Sequence, residues 1–361
     1  MNVKPTKTVR IFGTISIVIA VLFVGFFAIE MGTQVWVSRQ LPLLLNKNPE
    51  RKYNFAFEKA KIQLLKKQLI IDKIVISPFT NDSVADVALV ERFIVEGTDL
   101  RKLFFHKELK TKKLLVVNPV IVMTTSNTKV AEESEQGMNT FWKDVFTRLS
   151  IADFEIENAT FSIVDETAKE TYFSLNHFNL NVSGFTIDTS TIKDPFPVRF
   201  KTLEAFCNNV KLRIDTISML QVAAIHLTNS SVDIGQIELI PNMLVSDFLA
   251  TNRAKNDWVN LSIDHVQLND FSWNLEKELP FFTVSSLKLD SLYLHVMADK
   301  NQAKLNLKDK LLLAELFRGM PFSFSLDSFL ITNSSVFFRN AFCQSKFTRL
   351  FVIRSYLFNW L

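Results

Sequence analysis

The sequence predicts a mainly β protein, in which a single N-terminal transmembrane helix precedes a repetitive, largely antiparallel β-sheet with a few short helices. Three observations carry this prediction. An uncharged apolar segment lies near the N-terminus. Beyond it, apolar and polar residues alternate over most of the chain, which is typical of half-buried strands. The alternation also changes phase repeatedly, most often at an asparagine.

The composition argues against several classes of function. The chain has 361 residues, of which 48% are hydrophobic, and it contains 34 Phe but only 8 Gly. So few glycines leave little material for a glycine-rich phosphate loop. The net charge of +4 is spread along the chain and forms no basic stripe for nucleic acid. Cys207 and Cys343 allow one disulfide, but they form no disulfide framework and no zinc-ligand pattern.

The first predicted element is a transmembrane helix over residues 11–29. These residues carry no charge, and a helix of this length can cross a hydrocarbon core of about 30 Å. Lys4, Lys7 and Arg10 precede the segment, and basic residues favour the cytoplasmic side. A cleaved signal peptide is the alternative, but its apolar core would be only about 7–15 residues long.

The orientation of this helix divides the N-terminal region. We expect residues 1–10 to be cytoplasmic and residues 30–52 to be a juxtamembrane linker on the far side. Arg39 and Lys47 lie in that linker and weaken the charge bias.

Residues 53–340 are predicted to form one repetitive β-sheet domain. Alternation is clear in residues 53–57 and 259–263, and the segments are rich in Phe, Ile, Val, Leu and Thr. These residue types favour strands because they pack well on a pleated, half-buried surface.

The phase change recurs in residues 154–163, 225–234 and 329–338. Each copy reads apolar-x-apolar-x-Asn-small-x-apolar-x-apolar. In one continuous strand, the change would send the second half to the wrong face. A two-residue turn at the asparagine removes the conflict, because Asn tolerates the left-handed backbone of such turns.

We therefore predict hairpins at Asn158, Asn229 and Asn333, and tighter turns at residues 269–270 and 290–291. The predicted facing pairs are Ile156 with Phe161, Phe154 with Ile163, Leu227 with Val232, Ile331 with Val336, and Leu268 with Phe271. The alternative at each position is a β-bulge within one strand. The unequal spacing of the copies indicates a degenerate array and not a strict solenoid.

Three short helices are predicted to cap or cross the sheet. They lie in residues 139–150, around residues 244–249, and in residues 307–318. The last segment, residues 341–361, loses the alternation and contains basic residues without any acidic one. We expect it to be an irregular, truncated or frame-shifted tail outside the sheet, which resequencing the locus would test.

No catalytic, cofactor-binding or metal-binding residue is predicted, and we do not expect an enzyme. The chain has no Gly-x-Ser-x-Gly and no His-Glu-x-x-His. His177, His226, His265 and His295 fall within strand patterns, where we expect them at the surface of the sheet. None of the five histidines, including His106, has a second histidine or cysteine at ligand spacing.

The order of these features resembles the AsmA-like family of bacterial envelope proteins, of the AsmA/TamB type. A short basic N-terminus and one span are followed by Gln40-Leu41-Pro42 and by alternating strands. Residues 97–100 (Gly-Thr-Asp-Leu), Leu103 and residues 114–121 come next, and repeated strand–Asn-small–strand units complete the order. The resemblance covers most of residues 5–340 and rests on pattern and order. It carries over no catalytic residue.

The resemblance implies a bacterial inner-membrane protein with a cytoplasmic N-terminus and a periplasmic main domain. That domain would be a β-sheet curled into a groove with an apolar interior. Phospholipid acyl chains are the implied partner, and the implied role is phospholipid transport or outer-membrane biogenesis by a short or truncated member. Physical chemistry agrees, since an open Phe-rich face costs about 25 cal/mol per Å² until something apolar covers it.

A second hypothesis is a membrane-anchored scaffold or assembly factor that binds other envelope proteins. Its exposed strand edges would pair with a partner strand by β-augmentation. An open, curled sheet with an apolar face favours lipid, whereas a sealed sandwich argues against it.

Overall fold

In a computed structural model of the chain, 84% of the described residues lie in strands of a single open, curled and largely antiparallel sheet. The predicted mainly β class is therefore confirmed. The structure describes residues 53–63, 65–78, 87–98, 108–125, 148–165, 170–188, 198–214, 218–251, 258–274, 281–298, 323–340 and 349–359, together with residues 35, 39, 43, 46 and 191.

The sheet has fifteen strands, and the segment after β10 holds one short helix. The strands are β1 Tyr53–Ala56, β2 Lys59–Gln63, β3 Gln68–Pro78, β4 Val87–Glu96, β5 Glu108–Thr125, β6 Arg148–Asp165, β7 Thr171–Ile187, β8 Thr202–Arg213, β9 Ser218–Leu227, β10 Ser231–Pro241, β11 Trp258–Asn269, β12 Ser272–Asn274, β13 Phe281–Ala298, β14 Ser323–Asn340 and β15 Arg349–Asn359; the helix is α1 Val245–Thr251.

The spatial order of the strands follows the chain. β1 and β2 share one edge of β3, and β11 and β12 share one edge of β13. Neighbours pair antiparallel except β5 with β6 and β13 with β14, which are parallel. Sequential antiparallel pairing explains why alternation is such a strong signal in this sequence.

Two lines of bent backbone cross the sheet, and every described residue with positive φ lies on one of them. The first line, here called the upper crease, passes mid-strand. Its residues with positive φ are Lys73, Asn118, Asn158, His177, Asn209, Gln236, Ser291 and Asn333. Facing residues on this line, such as Lys73 and Glu91, are left out of the pairing while the register continues on both sides. A left-handed residue at each position bends the strand locally.

The second line, here called the lower crease, runs parallel to the first. Its residues with positive φ are Lys67, Gly97, Gly184 and Asp270. In β5 the two creases lie at Lys112 and Asn118, six residues apart, which corresponds to about 20 Å of strand. The creases therefore divide the sheet into an upper wall, a middle panel and a lower wall.

The creases account for the phase changes in the sequence. On either side of Asn158, Ile156 pairs with Leu180 of β7 and Phe161 with Leu175 of β7. The prediction that Ile156 faces Phe161 across a hairpin is therefore wrong, and so is the pairing of Phe154 with Ile163. Asn158 bends a continuous strand, with a register shift beside it, so the β-bulge alternative describes this site.

Of the other predicted turns, some are absent and one is confirmed. Asn333 and residues 290–291 lie inside β14 and β13, so no hairpin forms there and Ile331 does not face Val336. At residues 269–270 the chain passes from β11 to β12 along the same neighbour, so Leu268 does not face Phe271. The hairpin at Asn229 is confirmed, because β9 turns into β10 and Leu227 pairs with Val232.

The C-terminal prediction needs correction too. Residues 349–359 form β15, which pairs antiparallel with β14. The segment that was predicted to be irregular therefore extends the sheet. Its apolar residues change phase at Arg354, which faces Asn333 on the upper crease, so the alternation is bent there and not lost.

The predicted helices have different outcomes. The helix around residues 244–249 is confirmed as α1, where Phe248, Trp258 and Met297 form a buried cluster. Residues 148–150 of the predicted helix over 139–150 belong to β6, and residues 307–318 lie outside the described residues.

The predicted membrane helix also lies outside the described residues. Val35, Arg39 and Leu43, in the predicted linker, are helical and exposed. No helix in the described part of the chain is long and apolar enough to cross a membrane.

Candidate functional site

One face of the middle panel is an unbroken apolar surface that crosses the sheet. The strand register places one apolar residue of each successive strand in a single row. This floor row consists of Ile71, Phe93, Val116, Ile156, Leu180, Ala205, Leu227, Val232, Leu268, Leu287, Phe329 and, at the level of the backbone, Phe358. No charged residue interrupts it.

A second apolar row crosses the upper wall. It consists of Met123, Ile163, Phe173, Leu212, Leu220, Leu239, Leu261, Leu294 and Val336. Phe161 and Phe173 add an aromatic contact beside it, with ring centroids 5.7 Å apart. Because each strand changes phase at the upper crease, apolar residues stay in step on both sides of the bend.

Within the described part of the chain, little protein covers this apolar surface. Most floor-row residues are only half-buried, and the largest described side chains with less than 2% exposure are Thr191 and Ser334. A closed sandwich would bury leucines and phenylalanines in its centre. The described sheet is therefore an open trough, with its creases as corners.

The lower wall closes over the floor in the first half of the sheet, from β3 to β8. Leu149 and Ile151 of β6 and Ile187 of β7 lie beyond the lower crease and pack against Leu114 of the middle panel. Ile151 is only 2% exposed. This cluster shows that the sheet folds toward its apolar face at the lower crease.

The second half of the sheet, from β9 to β14, is different. β9 and β10 stop at the lower crease in the hairpin at residues 228–230, so they contribute nothing to the lower wall. The resulting gap between β8 and β12 is here called the notch. Four rings line it, here called the aromatic cluster: Phe200, Phe271, Trp273 and Phe282.

The aromatic cluster spans the notch. Phe200, just before β8, meets Trp273 of β12 edge to face, with ring centroids 5.7 Å apart. Trp273 meets Phe271 at 5.3 Å, and Phe271 stacks on Phe282 at 5.8 Å. All four rings remain partly exposed. Sequence reasoning missed this cluster, because Phe200 is 73 residues from Trp273 and only the hairpin between them brings the two together.

The opposite face of the sheet carries a line of polar side chains, beside exposed apolar ones such as Val75, Leu89 and Val120. At the upper crease, side-chain hydrogen bonds run from strand to strand: Asn118 donates to Glu91, Asn158 donates to Asn118 at 2.8 Å, and Asn158 Oδ1 lies 2.7 Å from His177 Nδ1. In the second half, Thr332 and Asn333 donate to Asp290, and these two hydrogen bonds lower the pKa of that carboxyl group. The polar side chains thus hold neighbouring bends in line.

The histidines lie where the sequence placed them. His177, His226, His265 and His295 are strand residues with partly or fully exposed rings, and His106 lies outside the described residues. His226 lies 3.0 Å from Glu204 and His265 2.9 Å from Asp233. No metal-ligand group of three or more His, Cys, Asp or Glu occurs among the described residues.

One cysteine, Cys207, lies among the described residues and has no disulfide partner there. Cys207 of β8 is buried, and burial raises its pKa. Cys343 lies outside the described residues, so the disulfide stays a prediction.

A cavity of about 440 Å³, lined by both polar and apolar residues, lies where β6, β7 and β8 meet the hairpin. Its lining includes Asp153, Glu155, Ser183, Glu204 and Asn229. Two of the carboxylates already have partners, because Lys113 lies 2.6 Å from Glu155 and His226 contacts Glu204.

The two edges of the sheet are unlike each other. The first edge is interrupted between β1 and β2. There the side-chain amide of Asn46 binds the backbone of Phe55: its oxygen accepts a hydrogen bond from the Phe55 N–H at 3.0 Å, and its nitrogen donates one to the Phe55 carbonyl at 2.9 Å. A short, interrupted and capped edge resists pairing with another strand. At the other end, β14 is the one described partner of β15.

Comparison with known proteins adds no functional argument. No family model matches the chain, and no curated protein matches it. Among solved structures, the chain is similar to the crystal structure of sex pheromone staph-cAM373 precursor, with 10% identity over 90% of this chain and 92% of the other, at a TM-score of 0.11. That score does not indicate a shared fold.

Proposed function

We propose that this protein is an inner-membrane-anchored trough in the bacterial periplasm that binds phospholipid acyl chains, with a role in phospholipid transport or outer-membrane biogenesis. The observation that carries the proposal is the apolar floor row, which crosses an open sheet without a charge. Such a surface is unfavourable in water, at about 25 cal/mol per Å², and acyl chains would cover it without needing specific hydrogen bonds.

The shape of the trough supports lipid over a folded protein partner. The middle panel is about six residues wide, or roughly 20 Å, and the stacked strands extend it along one axis at about 4.8 Å each. A long, narrow, apolar channel suits extended hydrocarbon chains. In this proposal, residues 11–29 form the membrane anchor, residues 1–10 lie in the cytoplasm, and the sheet lies in the periplasm.

The alternative function is a scaffold that pairs with envelope proteins through its strand edges. The capped first edge disfavours it at that end, since Asn46 already satisfies the backbone of Phe55. At the other end of the described sheet, the outer edge of β15 has no strand partner and is the better candidate for such pairing.

The test compares two neighbouring residues on opposite faces of β13. Leu289 lies on the apolar face, opposite Val266, while Lys288 lies on the polar face, opposite Gln267. The full chain is purified from bacterial membranes as wild type, Leu289→Gln and Lys288→Gln, and bound phospholipid is measured by mass spectrometry. We expect wild type and Lys288→Gln to retain phospholipid and Leu289→Gln to retain less.

Two results would overturn the proposal. One is a wild-type chain that carries no phospholipid. The other is equal retention by the two variants, which would assign the lipid to the anchor. Cross-linking that captures one stoichiometric protein partner on a lipid-free chain would support the scaffold.

A further inference from the structure

Exposed basic residues gather along the lower crease in the first half of the sheet. This group is here called the basic corner, and it consists of Lys66, Lys67, Lys110, Lys112, Arg199 and Lys201, all of them exposed. The six residues are far apart in the sequence, and the pairing of β3 through β8 brings them together. The fold therefore has a basic stripe that the sequence does not show.

Two of these lysines lie across glycines of the neighbouring strand. A Cβ added to Gly97 would lie 2.7 Å from Lys112 Cγ, and one added to Gly184 would lie 2.8 Å from Lys201 Cγ. The glycines therefore leave room for the lysine stems, while the charged ends remain in solvent. The Gly97 N–H also donates to the Lys67 carbonyl at 2.8 Å, which places Lys67 beside the first of these pairs.

The basic corner lies on the outer side of the bend, away from the apolar floor. Thr111 and Leu114 of β5 are 4% and 8% exposed. Thr111 is the register partner of Ile151, against which Leu114 packs, so both residues lie on the side toward which the sheet folds. Lys112 and Lys113 stand between them, and the extra residue at the crease turns both lysines to the outer side.

Acidic residues beside the basic corner lie one row into the middle panel, around Lys113. Glu96 and Asp153 are the register partners of Lys113, and Glu155 lies 2.6 Å from its ammonium group. Among the described residues, no carboxylate forms an ion pair with Lys66, Lys67, Lys110, Lys112 or Lys201. The basic corner therefore carries positive charge that an anionic partner can match.

An exposed leucine adjoins the basic corner. Leu65 precedes Lys66 in the turn between β2 and β3, and it is 83% exposed. Lys59 and Lys61 of β2 lead into the same turn and are exposed as well. Basic and apolar side chains together favour the surface of an anionic bilayer, because lysines are attracted to its headgroups and a leucine enters the boundary below them. Nucleic acid would match the charge but offers nothing apolar to cover Leu65.

We propose that the basic corner and Leu65 form a docking surface for an anionic phospholipid bilayer. The proposal goes beyond the proposed function, since this surface lies outside the trough and needs no lipid within it. Each lysine near such a bilayer strengthens binding about fivefold. The lysines of the crease extend from β3 to β8, which corresponds to about 24 Å of sheet, so several of them reach one bilayer surface together.

Vesicle sedimentation tests this surface with the full chain. The chain is reconstituted in phosphatidylcholine nanodiscs, mixed with sucrose-loaded vesicles and sedimented. The vesicles contain either phosphatidylcholine alone, which is neutral, or phosphatidylcholine with anionic phosphatidylglycerol. We expect wild type to sediment with the anionic vesicles and not with the neutral ones. The bound fraction should fall as salt is added, because salt screens exposed charges.

Two double variants of equal net charge separate the basic corner from the charge of the whole chain. Lys112→Gln with Lys201→Gln should weaken binding to anionic vesicles about tenfold or more. Lys211→Gln with Lys288→Gln changes lysines of β8 and β13 that lie outside the basic corner, and should leave binding nearly unchanged. Circular dichroism checks that each variant folds.

A single variant tests the leucine. Leu65→Ser should weaken binding to anionic vesicles about threefold, because the bilayer boundary covers only part of the side chain. The variant changes a residue that is 83% exposed, so we expect its thermal stability to match that of wild type.

Three results would overturn the inference. The first is a wild-type chain that does not sediment with anionic vesicles. The second is an equal loss of binding in the two double variants, which would assign the effect to net charge. The third is tight binding of a single-stranded oligonucleotide together with vesicle binding that Leu65→Ser leaves unchanged, which would make the basic corner a polyanion site. None of these results bears on phospholipid in the trough, which the Leu289→Gln comparison measures separately.

Discussion

The two halves of the sheet share strand pattern, register and creases. They differ in whether a lower wall packs against the apolar face. In the β3–β8 half, the lower wall packs onto the floor, and Val95, Leu114 and Val182 beside the lower crease are 5%, 8% and 5% exposed. In the β9–β14 half, β9 and β10 end at the lower crease, and the described core cluster of Phe248, Trp258 and Met297 lies at the upper wall instead. The same motif can therefore build a closed core or an open surface, depending on whether a lower wall is present.

The largest test of this comparison concerns matched isoleucines. Ile151→Ala removes a side chain that is 2% exposed within the closed half, and should lower the free energy of unfolding by about 2–5 kcal/mol. Ile234→Ala removes a half-buried residue of the apolar face in the open half and should lower the free energy of unfolding by about 1 kcal/mol, because less buried contact is lost. Urea denaturation measures both. Equal losses would mean that the two halves are packed alike.

A smaller change in the free energy of unfolding is expected when one glycine in each half is replaced by alanine. Gly184 lies on the lower crease with φ +65°, and an added Cβ would lie 2.8 Å from Lys201 Cγ. Gly184→Ala should therefore cost about 1–2 kcal/mol. At Gly235 an added Cβ would make an ordinary contact 3.9 Å from Ala224, so Gly235→Ala should be neutral or slightly stabilising. If Gly184→Ala leaves the melting temperature unchanged in thermal denaturation, this would contradict the left-handed backbone described at the lower crease.

The upper crease can be tested at one residue. Asn158 has φ +52° and bonds to Asn118 and His177 on neighbouring strands. Asn158→Ala should cost about 1–2 kcal/mol, from left-handed strain and lost hydrogen bonds. Asn158→Gly relieves the strain and should cost about half as much. If Gly is as costly as Ala, the side-chain bonds, and not the bend, dominate there.

The smallest effect concerns acid stability in the open half. Hydrogen bonds from Thr332 and Asn333 lower the pKa of Asp290 in the folded state. A depressed folded pKa stabilises the protein above the unfolded value of about 3.9, and this contribution is lost as the pH falls through the folded pKa. Between neutral pH and pH of about 3, the melting temperature of wild type should fall slightly more than that of Asp290→Asn. Parallel curves would exclude the linkage.

The sequence predicts the strands better than their connections. A phase change at Asn158 and one at Asn229 look alike, because a crease and a hairpin both return apolar residues to the same face. They differ in whether the chain continues along the same strand or reverses its direction, and this depends on residues that are distant in sequence. At Asn229 the local chemistry decides in favour of a turn: Thr228 Oγ1 accepts from the Ser231 N–H at 3.0 Å. At Asn158 the bend aligns with Asn118 of the neighbouring strand.

The tail shows the same ambiguity. Phe351, Ile353, Tyr356 and Phe358 repeat the phase change of β11, where Leu261 and Ile263 precede Val266 and Leu268. The signal for β15 is present in the sequence, but the phase change at Arg354 interrupts the alternation and hides it. The aromatic cluster could not be predicted, since it depends on β9 and β10 ending together at the lower crease.

The creases also bear on how such a sheet can change through evolution. Eight of the strands carry their own left-handed residue on the upper crease, so much of the cross-section is specified strand by strand and not by the total length. Duplicating an adjacent pair of strands would lengthen the trough by about 10 Å and leave its profile intact. Losing a single residue between the creases would instead turn one strand's apolar residues outward. Sequences with this architecture should therefore vary by whole strands and resist single-residue insertions and deletions.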